Sequence, residues 1–156
     1  MTEIETELRV RRIENGTVID HITSGKALIV LKILGLPDSS HGVVSVLINS
    51  HGIYGKKDVV KIENRELKAE EVDRIALIAP NATINIIRNF NVTRKNKVHI
   101  PSFVEGVVGC INPNCISNSN EPITSKFKVT TEDTGLKLRC FYCARVISEN
   151  IAENLL

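Results

Sequence analysis

The first hundred residues change hydrophobic period several times, and each change predicts an element. Residues 8–13 read as a short strand, and Asn15-Gly16 is a turn signal. Residues 17–22 continue as an extended segment. Ser24 is placed to cap a helix running to about Leu34, where Gly35 and Pro37 stop it. Residues 43–49 are β-branched and strand-like, and a glycine-containing stretch at 51–57 leads to a second strand at 59–63, the pattern of a hairpin. Residues 68–77 read as a second helix with Val72, Ile75 and Ala76 on one face. Pro80 ends it, and 83–92 is the last strand.

The resulting order, βαββαβ, predicts an α+β unit of the ferredoxin-like kind, with two helices on one face of an antiparallel sheet. The first helix places Ala27, Leu28, Leu31 and Leu34 on one face, yet Ile29, Val30 and Ile33 fall off it. A helix that is apolar on more than one side has a second neighbour. Together with the open face of the sheet, this predicts pairing with a second copy of the chain.

Residues 94–101 (RKNKVHIP) are basic, polar and closed by a proline, which reads as a linker. Beyond residue 102 the pattern shifts to short strands at 103–108, 126–130, 136–139 and 144–147, with a loop rich in Asn, Pro and Ser at 112–124. The chain therefore divides into residues 1–100 and 101–156.

The cysteines change the picture most. All four lie in the second segment, at Cys110, Cys115, Cys140 and Cys143. Two short-spaced pairs of thiols with none left over point to the ligand set of a closed tetrahedral Zn²⁺ site, ahead of buried or disulfide-paired cysteines and of an iron–sulfur cluster. Four protein ligands leave no open position for water or substrate, so one structural zinc is expected, holding a small all-β unit of the zinc-ribbon, rubredoxin-like type. A segment of this size has too little core to fold by burial alone, so metal binding supplies folding free energy.

Composition mostly excludes. The charge of +2 announces no nucleic-acid partner, and an aromatic content of 4% without Trp offers no stacking platform for bases. Residues 1–15 are charged throughout, which fits no secretory signal, and the longest apolar run is too short for a bilayer. A cytoplasmic protein without a membrane partner is expected. The phosphate-loop and dinucleotide fingerprints are missing, as is any arrangement that would activate a nucleophile, so no catalytic residue is expected.

Asp20 and His21 stand side by side in an apolar stretch, either as part of a small-molecule site or as a turn brace beside an exposed imidazole. Arg88, Arg94, Lys95 and Lys97 gather positive charge at the end of the last predicted strand, suited to a triphosphate or a nucleic acid. Lys61 is either a ligand contact or a solvated lysine.

In order and spacing, 16–22 (GTVIDHI), 56–64 (KKDVVKIEN), 79–83 (APNAT), 110–117 (CINPNCIS) and 140–143 (CFYC) resemble the regulatory chain of aspartate carbamoyltransferase over nearly the whole sequence. The resemblance implies a non-catalytic allosteric subunit in pyrimidine biosynthesis. It implies an N-terminal effector domain that pairs with a second copy, and a zinc domain that docks on the catalytic chain. It implies CTP and ATP as competing effectors, with UTP alongside CTP. Carried over by position, Asp20 and His21 fall on the effector-binding pair. Lys61 falls on a contact to base and ribose, and Lys95 on a contact to the phosphates. Val18, Asn85, Ile87, Phe90 and Val92 fall on the pocket wall, and Arg12 and Ile13 on the backbone that reads the base edge, flanked by the charge of Arg11 and Arg12. Cys110, Cys115, Cys140 and Cys143 match the zinc ligands. The alternative function is a zinc-ribbon nucleic-acid-binding protein of translation or transcription.

Overall fold

The computed structural model of the chain describes residues 12–36, 38, 42–52 and 55–156. The strand expected at 8–13 lies mostly outside these residues. Of it, Arg12 and Ile13 are described and belong to no regular element, although Ile13 is buried.

The first unit runs β1 (Gly16–Thr23), α1 (Ala27–Ile33), β2 (Val44–Gly52), β3 (Gly55–Glu63), α2 (Ala69–Ile78), β4 (Thr83–Arg88) and β5 (Asn91–Lys97). Its strands form one antiparallel sheet in the order β2-β3-β1-β4-β5. The first four give the ferredoxin-like arrangement, and β5 extends it at one edge. One face of the sheet supplies Ile19, Ile22, Val60, Ile62 and Ile84, which pack under Val30 of α1 and Ile75 of α2. The burial of these aliphatic side chains drives the unit together.

Three expectations are corrected here. First, Ser24 does not cap α1, because its hydroxyl donates to Asn49 Oδ1 at 2.5 Å. The fully buried Asp58 of β3 takes that role: one carboxylate oxygen accepts from Gly25 N (2.9 Å) and Ala27 N (3.1 Å), the other from Asn49 N (3.0 Å). A carboxylate among the unpaired N–H groups at a helix start satisfies both their hydrogen bonding and their partial charge. Second, the core face of α1 is Ala27, Val30 and Leu34, whereas Leu28 is 65% exposed.

Third, the strand expected at 83–92 is two strands, and most of the basic part of the expected linker is β5. Asn89 and Phe90 both have left-handed φ (53° and 66°), and Arg88 pairs with Asn91. This is the two-residue primed turn whose twist suits a hairpin. Residues from the chain's start hold the turn. Phe90 N donates to Glu14 O (2.9 Å), Asn89 N to Asn15 Oδ1 (3.3 Å), and Arg12 Nη2 to Phe90 O (2.8 Å).

The second unit is a four-stranded antiparallel sheet of β6 (Phe103–Glu105), β7 (Lys126–Glu132), β8 (Gly135–Cys140) and β9 (Val146–Ile147), in that order. Val108, Phe127 and Leu138 are fully buried in its core. Leu77 of α2 is buried in that same cluster, and the Arg74 guanidinium donates to the carbonyl of Leu156. Helix α2 therefore packs on both units, with Ile75 turned to the first core and Leu77 to the second. Among the described residues, no helix is long and apolar enough to cross a membrane.

Candidate functional site

Strand pairing brings distant residues into line on the face of the first sheet opposite the helices. Ser45 pairs with Lys61, Lys61 with Val18, Val18 with Asn85, and Asn85 with Lys95, a row across all five strands. Residues directly opposite in antiparallel strands share a face. A cavity of about 380 Å³ opens over this row. Toward the β4–β5 hairpin it is walled by Ile13, Ile87, Phe90 and Val92, with Arg12 beside them. The row itself contributes Val18, Lys61 and Asn85, and the side toward the β1 bulge carries Asp20 and Lys57 together with Leu47 and Val59.

Every expected effector residue lines this cavity except two. Lys95 shares its face, one strand beyond Asn85, but is not part of its wall. His21 sits in a bulge of β1, where two residues stand opposite Val59. Its left-handed φ of 57° turns it toward a neighbouring cavity of about 660 Å³ that also holds Lys56, Thr83 and Lys97. Lys57 lines both cavities. The His21 ring is placed by Nδ1, 3.2 Å from Thr83 Oγ1.

The sequence reading missed Lys57, Val59, Leu47, Ser50 and His51 in the first cavity. A signal existed for three of them, since the period of two along β3 puts Lys57 and Val59 on the face of Lys61, and along β2 it puts Leu47 on the face of Ser45. None existed for Ser50, because β2 bulges after Leu47 and breaks the alternation.

Two features equip this cavity for a polar ligand. Lys57 Nζ lies 2.7 Å from Asp20 Oδ1. Burial on its own would raise the Asp20 carboxyl. The hydrogen bond from Lys57, that from the backbone N–H of His21, and the charges of both residues outweigh burial and hold it below the ordinary 3.8. In addition, Asn85 Oδ1 is buried without a hydrogen-bond partner, a vacant acceptor in the wall.

The cysteines form the second site. Their four Sγ atoms lie within 4.8 Å of one another, with Cys110 to Cys143 at 3.5 Å and Cys115 to Cys140 at 3.7 Å. Disulfide sulfurs stand about 2.05 Å apart, and all four cysteines are free. An ion about 2.3 Å from each of four tetrahedral sulfurs separates those sulfurs by about 3.8 Å, so the set fits such an ion. Each knuckle is braced locally. Asn118 Nδ2 donates to Cys110 O (2.9 Å) and Asn112 O (2.7 Å), and Cys140 N donates to Arg145 O (2.8 Å) across the second turn.

The thiols are unequal. Burial pushes Cys110 up to about 12 and raises Cys140, whereas the Ser117 hydroxyl lowers Cys115 and the backbone N–H of Arg145 brings Cys143 down to about 6. A divalent cation at the centre removes the cost of charging all four together.

The model of the allosteric domain of the aspartate carbamoyltransferase regulatory chain matches residues 8–99, and the model of that chain's metal-binding domain matches residues 102–153. The chain belongs to the family of aspartate carbamoyltransferase regulatory chains. It is 67% identical over 150 residues to the aspartate carbamoyltransferase regulatory chain of Methanococcoides burtonii, covering 96% of this chain and 94% of that one. Against the same-named chain of Methanosarcina barkeri it is 62% identical over 151 residues, covering 96% and 97%. A regulatory chain is the non-catalytic subunit, so the clefts and thiols are read as binding and structural groups. The five-stranded sheet lies within the allosteric match and the cysteine cluster within the metal-binding match.

Proposed function

We propose that residues 1–100 bind nucleoside triphosphates over the open face of the first sheet. On this reading CTP and ATP compete there and UTP acts alongside CTP. Residues 101–156 hold one structural Zn²⁺ and dock on the catalytic chain in the cytoplasm. The observation that supports the nucleotide site most is its mixed lining: one cavity joins apolar side chains to two lysines and a carboxylate. A base suits the first, a ribose hydroxyl suits Asp20, and phosphate oxygens suit Lys57, Lys61 and, beyond the wall, Lys95 and His21. Cysteine thiolates as the whole donor set favour zinc among the common ions with closed tetrahedral sites.

Pairing with a second copy is supported by Leu28, Val43 and Ile48, which are 65%, 61% and 51% exposed. When a nucleotide favours one arrangement of the assembled subunits over another, that difference in affinity becomes a change in catalytic rate, typically about 1–3 kcal/mol of coupling. Calorimetric titration of CTP into the assembled complex tests the site. Lys61→Ala and Lys95→Ala are expected to weaken binding by about tenfold or more, consistent with losing a charge-assisted contact, while the subunits still assemble. Unchanged affinity in both variants would remove the assignment.

A further inference from the structure

We infer that Ser117, which is not a ligand, slows release of the metal from the cysteine site through a hydrogen bond from its hydroxyl to the Cys115 sulfur. This rests on the reading that the four thiols hold a divalent ion, and it adds a positioning residue to that site. Ser117 Oγ lies 3.2 Å from Cys115 Sγ. The backbone keeps it there. Asn118 N donates to Cys115 O (2.9 Å) and Ser119 N to Ile116 O (3.1 Å), a single 3₁₀ turn over Ile116–Asn118 that holds Ser117 within reach of the ligand two residues before it. Ser119, at the end of the same turn, shows the contrast. Its hydroxyl donates to Ile116 O at 2.7 Å and accepts from Glu121 N at 3.2 Å, so it is spent on the backbone. The Ser117 hydroxyl turns to sulfur instead.

The chemistry of the site gives that contact its direction. A cysteine that binds a metal does so as a thiolate, which has no proton to give, so the hydroxyl is the donor. Four thiolates around a divalent ion leave negative charge in excess of the ion's own. Cys115 is 3% exposed, so water has little access to its sulfur to share that charge. A buried anion without donors is costly, and Ser117 supplies the donor that water would have been. The bond also draws electron density from the sulfur, which raises the energy needed to move an electron from that sulfur to a bound metal. Without the hydroxyl the loaded site is less stable, and its sulfur gives up an electron more readily.

The test loads the full chain with Co²⁺, whose sulfur-to-metal charge-transfer absorption reports the thiolates, and follows the decay of that absorption in excess EDTA. Wild type is compared with Ser117→Ala, Ser117→Thr and Asn118→Ala. Ser117→Ala is expected to move the band to longer wavelength and to speed release on the order of tenfold, the scale of hydrogen bonds that support metal ligands from outside. Ser117→Thr keeps a hydroxyl and is expected to stay near wild type in both readouts. Asn118 donates to Cys110 O (2.9 Å) and Asn112 O (2.7 Å), to backbone and not to sulfur, so Asn118→Ala is expected to speed release without moving the band. A band that does not move in Ser117→Ala, whether release is unchanged or faster, overturns the role of Ser117 and leaves the metal site standing. Wild-type protein that takes up Co²⁺ without thiolate charge transfer, or takes up none, overturns both.

Discussion

Lys57 is the residue on which the two cavities of the first sheet meet, and its 2.7 Å contact with Asp20 is the strongest ion pair near them. A triphosphate drawn to Lys57 must share it with that carboxylate. The pair also leaves a signature without any ligand. The folded-state pKa of Asp20 lies below 3.8, so the ionised form is stabilised by folding. That stabilisation is complete above about pH 4 and is lost as pH falls through the folded value. Asp20→Asn removes it at every pH. Thermal unfolding followed by circular dichroism between about pH 7 and pH 3 should therefore show Tm falling more steeply for the wild type than for Asp20→Asn at the acid end. Parallel curves would mean that the pair contributes nothing to the fold. Gly16, at the start of the same strand, shows how tightly this face is built. Its φ is 143°, and a Cβ there would stand 2.1 Å from the Ile62 carbonyl oxygen, so no other residue fits.

At the scale of elements, the two knuckles and the strands they join are one cooperative unit. Cys140 closes β8, whose register carries Phe127 opposite Cys140 and Val129 opposite Leu138, so the ligand set and the core share the same pairings. Structural zinc in small domains is worth about 10–16 kcal/mol of folding free energy. Chelation should abolish amide-exchange protection in β7 and β8 while β1, β3 and β4 keep theirs, as hydrogen–deuterium exchange read by mass spectrometry would report. Protection that persists in β7 and β8 of metal-free protein would show a core sufficient by itself. The cysteine spacing makes this unit legible in the sequence, because two short thiol loops admit few geometries. The α/β order of the first unit was legible for a similar reason, since β-branched runs and proline stops are local signals. The β4–β5 hairpin was not. Its turn is Asn89-Phe90 without a glycine, and every residue of β5 is exposed, so neither turn chemistry nor apolar alternation marks it. The α1 cap was hidden in another way: Asp58 reaches the helix across 31 to 33 residues of sequence, a contact no local pattern encodes. Most cavity residues came from likeness to a family. Lys57 and Val59 needed only the strand period, whereas His21 needed the bulge that turns it away.

In the molecule as a whole, α2 is the joint. Ile75 and Ala76 belong to the first core and Leu77 to the second, and Arg74 holds the final carbonyl of the chain. A change of shape in the first sheet thus has a packed helix, rather than a loose linker, between it and the cysteine-bearing unit. The basic residues 94–97, first read as linker, are built into β5 instead, which shortens the free connection to the few residues before β6. Such a molecule suits a subunit that passes a binding event from one domain to a partner held by the other. The most direct measurement is the rate of aspartate carbamoylation by the catalytic chain as CTP or ATP is titrated, made with no regulatory chain, with this chain, and with its Lys61→Ala variant. A nucleotide response that appears only with the wild-type chain and is lost in Lys61→Ala is the predicted result. The same response without this chain, or an undiminished one from Lys61→Ala, would contradict it.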